Sequence, residues 1–251
     1  MTVACVFSGG GAKTAAQVGA HRALDESGMA PARYVGTSMG AVLAACFAAG
    51  LDYEAVLRKI TTMSRWDFAT PSPRSLFGPF AEGLFSAAQF KETLRELLPV
   101  HRFSELAKPL SVTAVDVGSG DLVVFGAGGS EHVALVDALY ASCALPFYYP
   151  PAEIDGRKFV DGGLRAVLPL QVANQFALET IFAVMVGPKP YDEDFDASRS
   201  TSLLRAYDSA LRILMGAQTE DVLGQWRHSS ACELILVQPV VEAGRPSMSK
   251  T

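Results

Sequence analysis

Two periods of apolar residues alternate along this chain. Val3 to Phe7 is a short continuous apolar run of strand length, and from about Thr14 the residues Ala16, Ala20, Ala23 and Leu24 recur at helical spacing until Gly28. Tyr34 and Val35 end a second strand, and an Ala-rich helix runs through Ala49. Tyr53, Val56, Leu57 and Ile60 repeat at i, i+3, i+4, i+7, and Phe90, Leu94, Leu97 and Leu98 at i, i+4, i+7, i+8, so both segments predict amphipathic helices. Ser86 with Gln89 three residues later is a capping-box signature at the start of the second. Leu110 to Asp116 and Leu122 to Phe125 flank Val117-Gly118-Ser119-Gly120-Asp121 as the arms of a β-hairpin. Phe159-Val160 is a brief strand after the Asp155-Gly156 turn, and Thr180 to Val186 is a buried strand. Leu203, Leu204, Tyr207, Leu211, Leu214 and Met215 mark a long helix, and Leu234 to Val237 is a last strand. Between 187 and 200 Pro, Asp, Glu and Ser dominate, which predicts a solvated loop.

Strands and helices taking turns imply an α/β layered architecture. The 251 residues accommodate one large domain or two small ones, and there is no internal repeat. The 18-residue uncharged stretch from Tyr34 to Leu51 is at the lower limit for a membrane span, but Gly36, Gly40, Gly50, Thr37 and Ser38 interrupt it; a buried helix is expected.

Composition narrows the function classes. A hydrophobic fraction of 49% excludes disorder, and a formal net charge of −5 argues against electrostatic binding of nucleic acid. Cys5, Cys46, Cys143 and Cys232 lie far apart among small or apolar neighbours, the pattern of reduced core thiols in a reducing compartment rather than a disulfide frame or zinc site. The first ten residues hold no basic region and no signal-length apolar run, so the expected location is cytoplasmic. No acidic loop has EF-hand spacing; no cofactor and no metal are expected.

Three glycine-flanked turns carry the chemistry. Gly36-Thr37-Ser38-Met39-Gly40 fits the G-x-S-x-G elbow, in which small residues on both sides allow a tight strand-to-helix turn that lifts a serine hydroxyl above the sheet. On its own the match is equally a Gly-rich turn opening a helix. Ser8-Gly9-Gly10-Gly11-Ala12-Lys13-Thr14 joins the first strand to the first helix and exposes backbone N–H groups to an anion. A Walker A motif would need glycines at Phe7 and Ala12, and a dinucleotide fingerprint would need Gly or Ala at Thr14, whereas an oxyanion loop needs only consecutive amides such as those of Gly10 and Gly11. Asp161 ends an apolar strand and enters Gly162-Gly163, which places a carboxylate at a sheet edge; an ordinary Asp-Gly turn is the alternative.

A serine needs a base. His21 falls within the first helix, His101 follows a Pro-Val helix exit and His132 lies in a polar loop, all three read as surface or capping residues. Ser38, Asp161 and His228 follow the chain order of an α/β-hydrolase triad, but His228 precedes the strand at Leu234, where that fold places its histidine after the last strand.

Taken together and in this order, the Gly9-Gly10-Gly11-Ala12-Lys13 loop, Gly36-Thr37-Ser38-Met39-Gly40 and Asp161-Gly162-Gly163 resemble the patatin-like phospholipase family. Ala141-Ser142-Cys143-Ala144-Leu145-Pro146 is similar to that family's Ala-Ser-x-Ala-x-Pro segment, and the likeness spans roughly residues 3 to 186. The resemblance implies a three-layer α/β/α sandwich with a mostly parallel central sheet, a single domain over 1–251, with a C-terminal helix and strand at 201–238. It also implies hydrolysis of acyl-lipid or phospholipid esters by a Ser38-Asp161 dyad through an acyl-enzyme, without a histidine base. Gly10 and Gly11 would form the oxyanion hole, supported by Gly9, Lys13, Gly36, Met39, Gly40, Gly162 and Gly163. Two positions depart from the family pattern: Thr14 replaces the glycine closing the first motif, and Ala166 stands where asparagine usually precedes Pro169.

An acyl tail requires an apolar path. Leu76, Phe77, Pro79, Phe80, Leu84 and Phe85, and the run Phe147-Tyr148-Tyr149, are the candidates to line it or to touch a membrane surface transiently; core packing is the alternative. Two rivals share the scaffold: a binding module for lipid or protein whose cleft has lost catalysis, and an acyltransferase that uses the same serine.

Overall fold

The computed structural model describes residues 2–73, 83–187, 203–229 and 232–239, with Arg65, His228 and Ser229 in backbone only. The eight strands are β1 (Val3–Phe7), β2 (Pro31–Thr37), β3 (Leu110–Asp116), β4 (Leu122–Gly126), β5 (Ala152–Ile154), β6 (Arg157–Asp161), β7 (Thr180–Val184) and β8 (Glu233–Val237). They form one sheet in the order β5-β6-β3-β2-β1-β7-β8, with β4 also paired to β3. The run β3-β2-β1-β7-β8 is parallel, while β3-β4, β3-β6 and β5-β6 are antiparallel. The helices are α1 (Ala15–Glu26), α2 (Met39–Ala48), α3 (Tyr53–Thr62), α4 (Arg65–Phe68), α5 (Ala87–Leu97), α6 (Leu135–Cys143), α7 (Leu170–Ala173) and α8 (Leu203–Ser229).

The sheet is buried on both faces, which is why its central strands are continuously apolar in sequence. On β1, Val3, Cys5 and Phe7 enter one core with α1, α2, α5 and α6, while Ala4 and Val6 enter a second core with Leu168, Leu170 and Val172 around α7. Val222, Leu223 and Trp226 of α8 cover that second core. The α/β architecture is thus helices on both sides of a mixed sheet. Helix α2 is buried over Gly40–Ala48, as expected of a helix apolar all round, and no helix among the described residues is long and apolar enough to cross a membrane.

Local signals account for most boundaries. Gly28 stands in the left-handed region at φ 77° after α1, and the Ser86 hydroxyl accepts from the Gln89 N–H at the start of α5. Asp155 (φ 50°) and Gly156 (φ 73°) make the tight β5-β6 turn. One expectation is corrected. The buried face of α1 is Gln17, Val18, Ala20, His21 and Leu24, and Ala23 faces solvent, because Gln17 and His21 find polar partners inside. Along α8, Leu203 and Leu214 are exposed, so its apolar residues do not form one buried stripe. Residues 188–200 of the expected acidic loop lie outside the described residues.

Candidate active site

The sheet register brings two distant turns together. Strand β4 pairs with Ser111 to Val115 along one edge of β3, so β2 and β6 share the other edge. They run in opposite directions and meet end to end: Thr37 stands opposite Thr113, and Asp161 opposite Ala114. Ser38 follows Thr37, and its Oγ donates to Asp161 Oδ2 at 2.8 Å across 123 residues of sequence.

Ser38 has φ 54° and ψ −135°, a conformation an L-residue rarely adopts, at the N-cap of α2. A β-carbon on Gly36 would lie 2.5 Å from the Ala41 Cα, and one on Gly40 would overlap the Ser8 carbonyl oxygen, so neither neighbour tolerates a side chain. The Ser38 N–H donates to Ser142 Oγ at 2.8 Å, anchoring the turn to α6. The Thr37 hydroxyl donates to the Ala166 carbonyl at 2.8 Å and lies 2.7 Å from the Thr113 hydroxyl.

Asp161 is 4% exposed, and its Oδ1 accepts from the Gly163 N–H at 2.7 Å. Burial pushes its pKa up to about 6, against the opposing pull of hydrogen bonds from the Gly163 N–H and Ser38. It is a carboxylate weakly enough acidic to accept a proton near neutrality and already hydrogen-bonded to a hydroxyl.

The glycine loop closes the third side. The Gly9 N–H donates to the Val167 carbonyl at 2.9 Å, and a β-carbon on Gly9 would sit 3.4 Å from Ser38 Cβ. Gly10 caps and Gly11 (φ 57°) opens a 3₁₀ turn over Gly11–Thr14, so their N–H groups belong to a first turn without intrahelical acceptors. Thr14 is buried and its hydroxyl donates to the Gly11 carbonyl at 2.7 Å, so this departure from the family pattern braces the loop. Ala166 is also buried, and it serves the site through its carbonyl.

Sequence reasoning missed three supporting side chains. Ser142 was visible only as a member of a motif, with no role. Ser8 Oγ accepts from the Val186 N–H at 2.9 Å, and fully buried Gln17 donates to the Ser8 carbonyl at 2.9 Å; a glutamine on the apolar face of α1 was the one available signal. The histidines reorganise too. His21 is buried, not a surface or capping residue: its ring stacks on Phe47 at 3.7 Å and its Nε2 lies 2.9 Å from the Tyr34 hydroxyl. Burial lowers its pKa, against the pull of Asp25. His132 pairs with Asp155 at 2.7 Å on the surface, the His101 N–H donates to Glu105, and the His228 side chain lies outside the described residues.

A cavity of about 790 Å³ opens on Ser38 and Asp161, within the range of small-molecule sites. Gly9, Gly10, Gly11, Lys13 and Thr14 line it at the loop, and Asp208, Leu211, Arg212 and Met215 bring α8 to its rim. Tyr207 and Tyr148 hold α8 there, their hydroxyls donating to the Pro146 carbonyl at 2.8 Å and to Asp208 at 2.6 Å. Of the candidate acyl-path residues, Phe85, Tyr148 and Tyr149 line the cavity, whereas Leu84 does not and Phe147 is 48% exposed; Leu76, Phe77, Pro79 and Phe80 lie outside the described residues. Of the four cysteines, Cys143 is buried yet borders the cavity, with its thiol pKa pushed well up by burial. None of His21, His101 and His132 lines it.

A mixed sheet between helix layers, with a serine elbow and an Asp-Gly-Gly turn meeting at the strand ends, defines an α/β protein of patatin type. The patatin-like phospholipase family model matches residues 5–174, and the chain belongs to that family. It is 30% identical over 172 residues to the omega-hydroxyceramide transacylase of Mus musculus, covering 65% of this chain and 27% of that protein. It is also 30% identical over 170 residues to an uncharacterized NTE family protein of Mycobacterium tuberculosis, covering 67% of this chain and 44% of that protein. The chain thus spans less than half the length of these curated relatives. Among solved structures, VipD from Legionella pneumophila superposes with a TM-score of 0.52 at 14% identity, over 99% of this chain and 63% of that one, a likeness of fold.

Proposed function

We propose that this chain hydrolyses acyl-lipid esters, phospholipids among them, by a Ser38-Asp161 dyad. Asp161 Oδ2 takes the Ser38 proton as Oγ bonds to the ester carbonyl carbon, and the carbonyl π pair moves to oxygen. The Gly10 and Gly11 amides, with the N-terminus of α2, stabilise that oxyanion. The C–O bond to the alcohol then breaks, and the proton on Asp161 passes to the leaving oxygen. Water adds to the acyl-enzyme by the same route, restoring Ser38 and releasing a carboxylic acid. The observation that carries this reading is the 2.8 Å hydrogen bond from Ser38 Oγ to a buried carboxylate whose pKa lies at about 6. Family membership supports lipid acyl chemistry.

Acyl transfer to an alcohol is the second reading, favoured by the similarity to a transacylase. An acceptor hydroxyl then replaces water on the same acyl-enzyme. Fluorophosphonate labelling with peptide mapping, together with p-nitrophenyl ester turnover by the wild type and Ser38→Ala, tests both. A label on Ser38 and serine-dependent turnover support the dyad; equal rates in the two proteins, or none in either, favour a binding module. Ester rather than acid products in the presence of a lipid alcohol select transfer.

A further inference from the structure

The cavity has two unlike sides. Toward the core that contains α2, α5 and α6, its wall is Leu43, Ile60, Met63, Phe68 and Phe90, all apolar. Toward the loop and α8 it carries Lys13, Asp208 and Arg212. Ser38 stands between, because Met39 and Leu43 lie on consecutive turns of the helix it caps, and both line the cavity.

The polar groups near the apolar side are turned to other partners. The Tyr149 hydroxyl donates to the Phe68 carbonyl at 2.5 Å, and the Tyr140 hydroxyl to the Pro150 carbonyl at 2.7 Å. Thr93 donates to the Asp67 carbonyl at 2.8 Å, and the Ser64 hydroxyl accepts from the Trp66 N–H at 3.2 Å. Apart from the Ser64 hydroxyl, which also lines the cavity, the described side chains there offer a ligand hydrocarbon and ring faces, and a polar head would lose most of its hydrogen bonds on entering. Phe90 lines the chamber and is 2% exposed, with Phe68 edge-on at 5.5 Å and Tyr149 at 5.1 Å between ring centres. Close-packed rings of this kind do not yield to a longer ligand without cost.

We infer that the acyl tail of the substrate occupies this chamber beneath α3 and α4, and that Ile60, Met63 and Phe90 set the length of straight chain it accepts. This rests on the acyl-ester reading above and adds the substrate's chain class and the residues that select it. Each methylene brought from water into the chamber raises affinity about fourfold until the chamber is full, and further methylenes add nothing.

The test uses alkylphosphocholines of eight, ten and twelve carbons, which carry no acyl ester, each below its micelle-forming concentration, with binding followed by calorimetry on the full chain. The dissociation constant is expected to fall about fourfold per methylene up to the limit. Ile60→Trp, which fills the chamber, is expected to weaken the twelve-carbon ligand at least tenfold relative to the eight-carbon one. Met63→Ala, which enlarges it, moves the limit to longer chains; opposite shifts from two folded variants are not the mark of general damage. The same dependence on length in wild type and both variants overturns the inference. Turnover of p-nitrophenyl butanoate by wild type and Ser38→Ala, run beside it, reports separately on the hydrolase reading, so that failure of one is distinct from failure of the other.

Discussion

Gly40 lies so close to Ser8 that a β-carbon at position 40 would overlap the Ser8 carbonyl oxygen. This backbone contact between the first turn of α2 and the end of β1 sets the gap between Ser38 and the glycine loop. Gly40→Ala is therefore expected to cost about 3 kcal/mol or more, or to prevent folding, because neither backbone can retreat from a buried core. Gly19→Ala, in the exposed middle of α1 with nothing within 4 Å of the added carbon, is expected to stabilise by about 0.5–1 kcal/mol. Urea unfolding of both variants measures the contrast.

Asp161 must be ionised to take a proton. With its pKa at about 6, kcat/KM for a soluble ester is expected to fall about tenfold per pH unit below 6 and to level off above it. A pH–rate profile between 4.5 and 8.5 checks this. A limb near 4 would mean that burial does not control the carboxyl in solution.

The same shift has a stability consequence. Folded Asp161 keeps its proton to about 6, whereas an unfolded aspartate releases it near 4, so between those values the native state binds more protons and loses stability as pH rises. Asp161→Asn removes that cost while offering a similar shape. It is expected to be more stable than wild type at pH 7.5 by on the order of 2–3 kcal/mol, with the difference vanishing toward pH 4. Its ester turnover is expected to fall by about 10³-fold or more. Thermal melts and initial rates at the two pH values test both halves; full turnover in the Asn variant refutes the dyad.

Ser142 holds the elbow from the side. Ser142→Ala leaves the Ser38 N–H without its acceptor in a half-buried position, at an expected cost of about 1 kcal/mol. Because that bond orients a strained residue, kcat is expected to drop about tenfold with KM little changed. Steady-state kinetics beside a denaturant titration separate the two effects.

Much of the fold was legible locally. The strands β1 and β7 and the helices α3 and α5 declare themselves through period and caps, since those signals need only neighbours within a turn or two. The elbow was legible because only glycine fits at positions 36 and 40, where a β-carbon would meet the backbone of Ala41 and of Ser8. Less could be read where tertiary contact overrides pattern. The buried face of α1 includes Gln17 and His21, which hydropathy places outside, because Ser8 and Tyr34 wait for them across the core. Helix α8 divides its apolar residues between solvent, cavity and the second core, so no stripe in the sequence announced that Asp208, Leu211, Arg212 and Met215 form a wall of the site.

The chain by itself determined the three turns of the candidate site, because steric demands on glycine and the ends of apolar runs are written within a few residues. Which turns meet was decided only in the folded sheet. Ser38 and Asp161 have no local relation; they are neighbours because β2 and β6 share one edge of β3, and strand pairing across a hundred residues depends on which edges the whole core leaves available. The raised pKa of the carboxyl is of the same origin, since a side chain's solvation is set by everything packed around it.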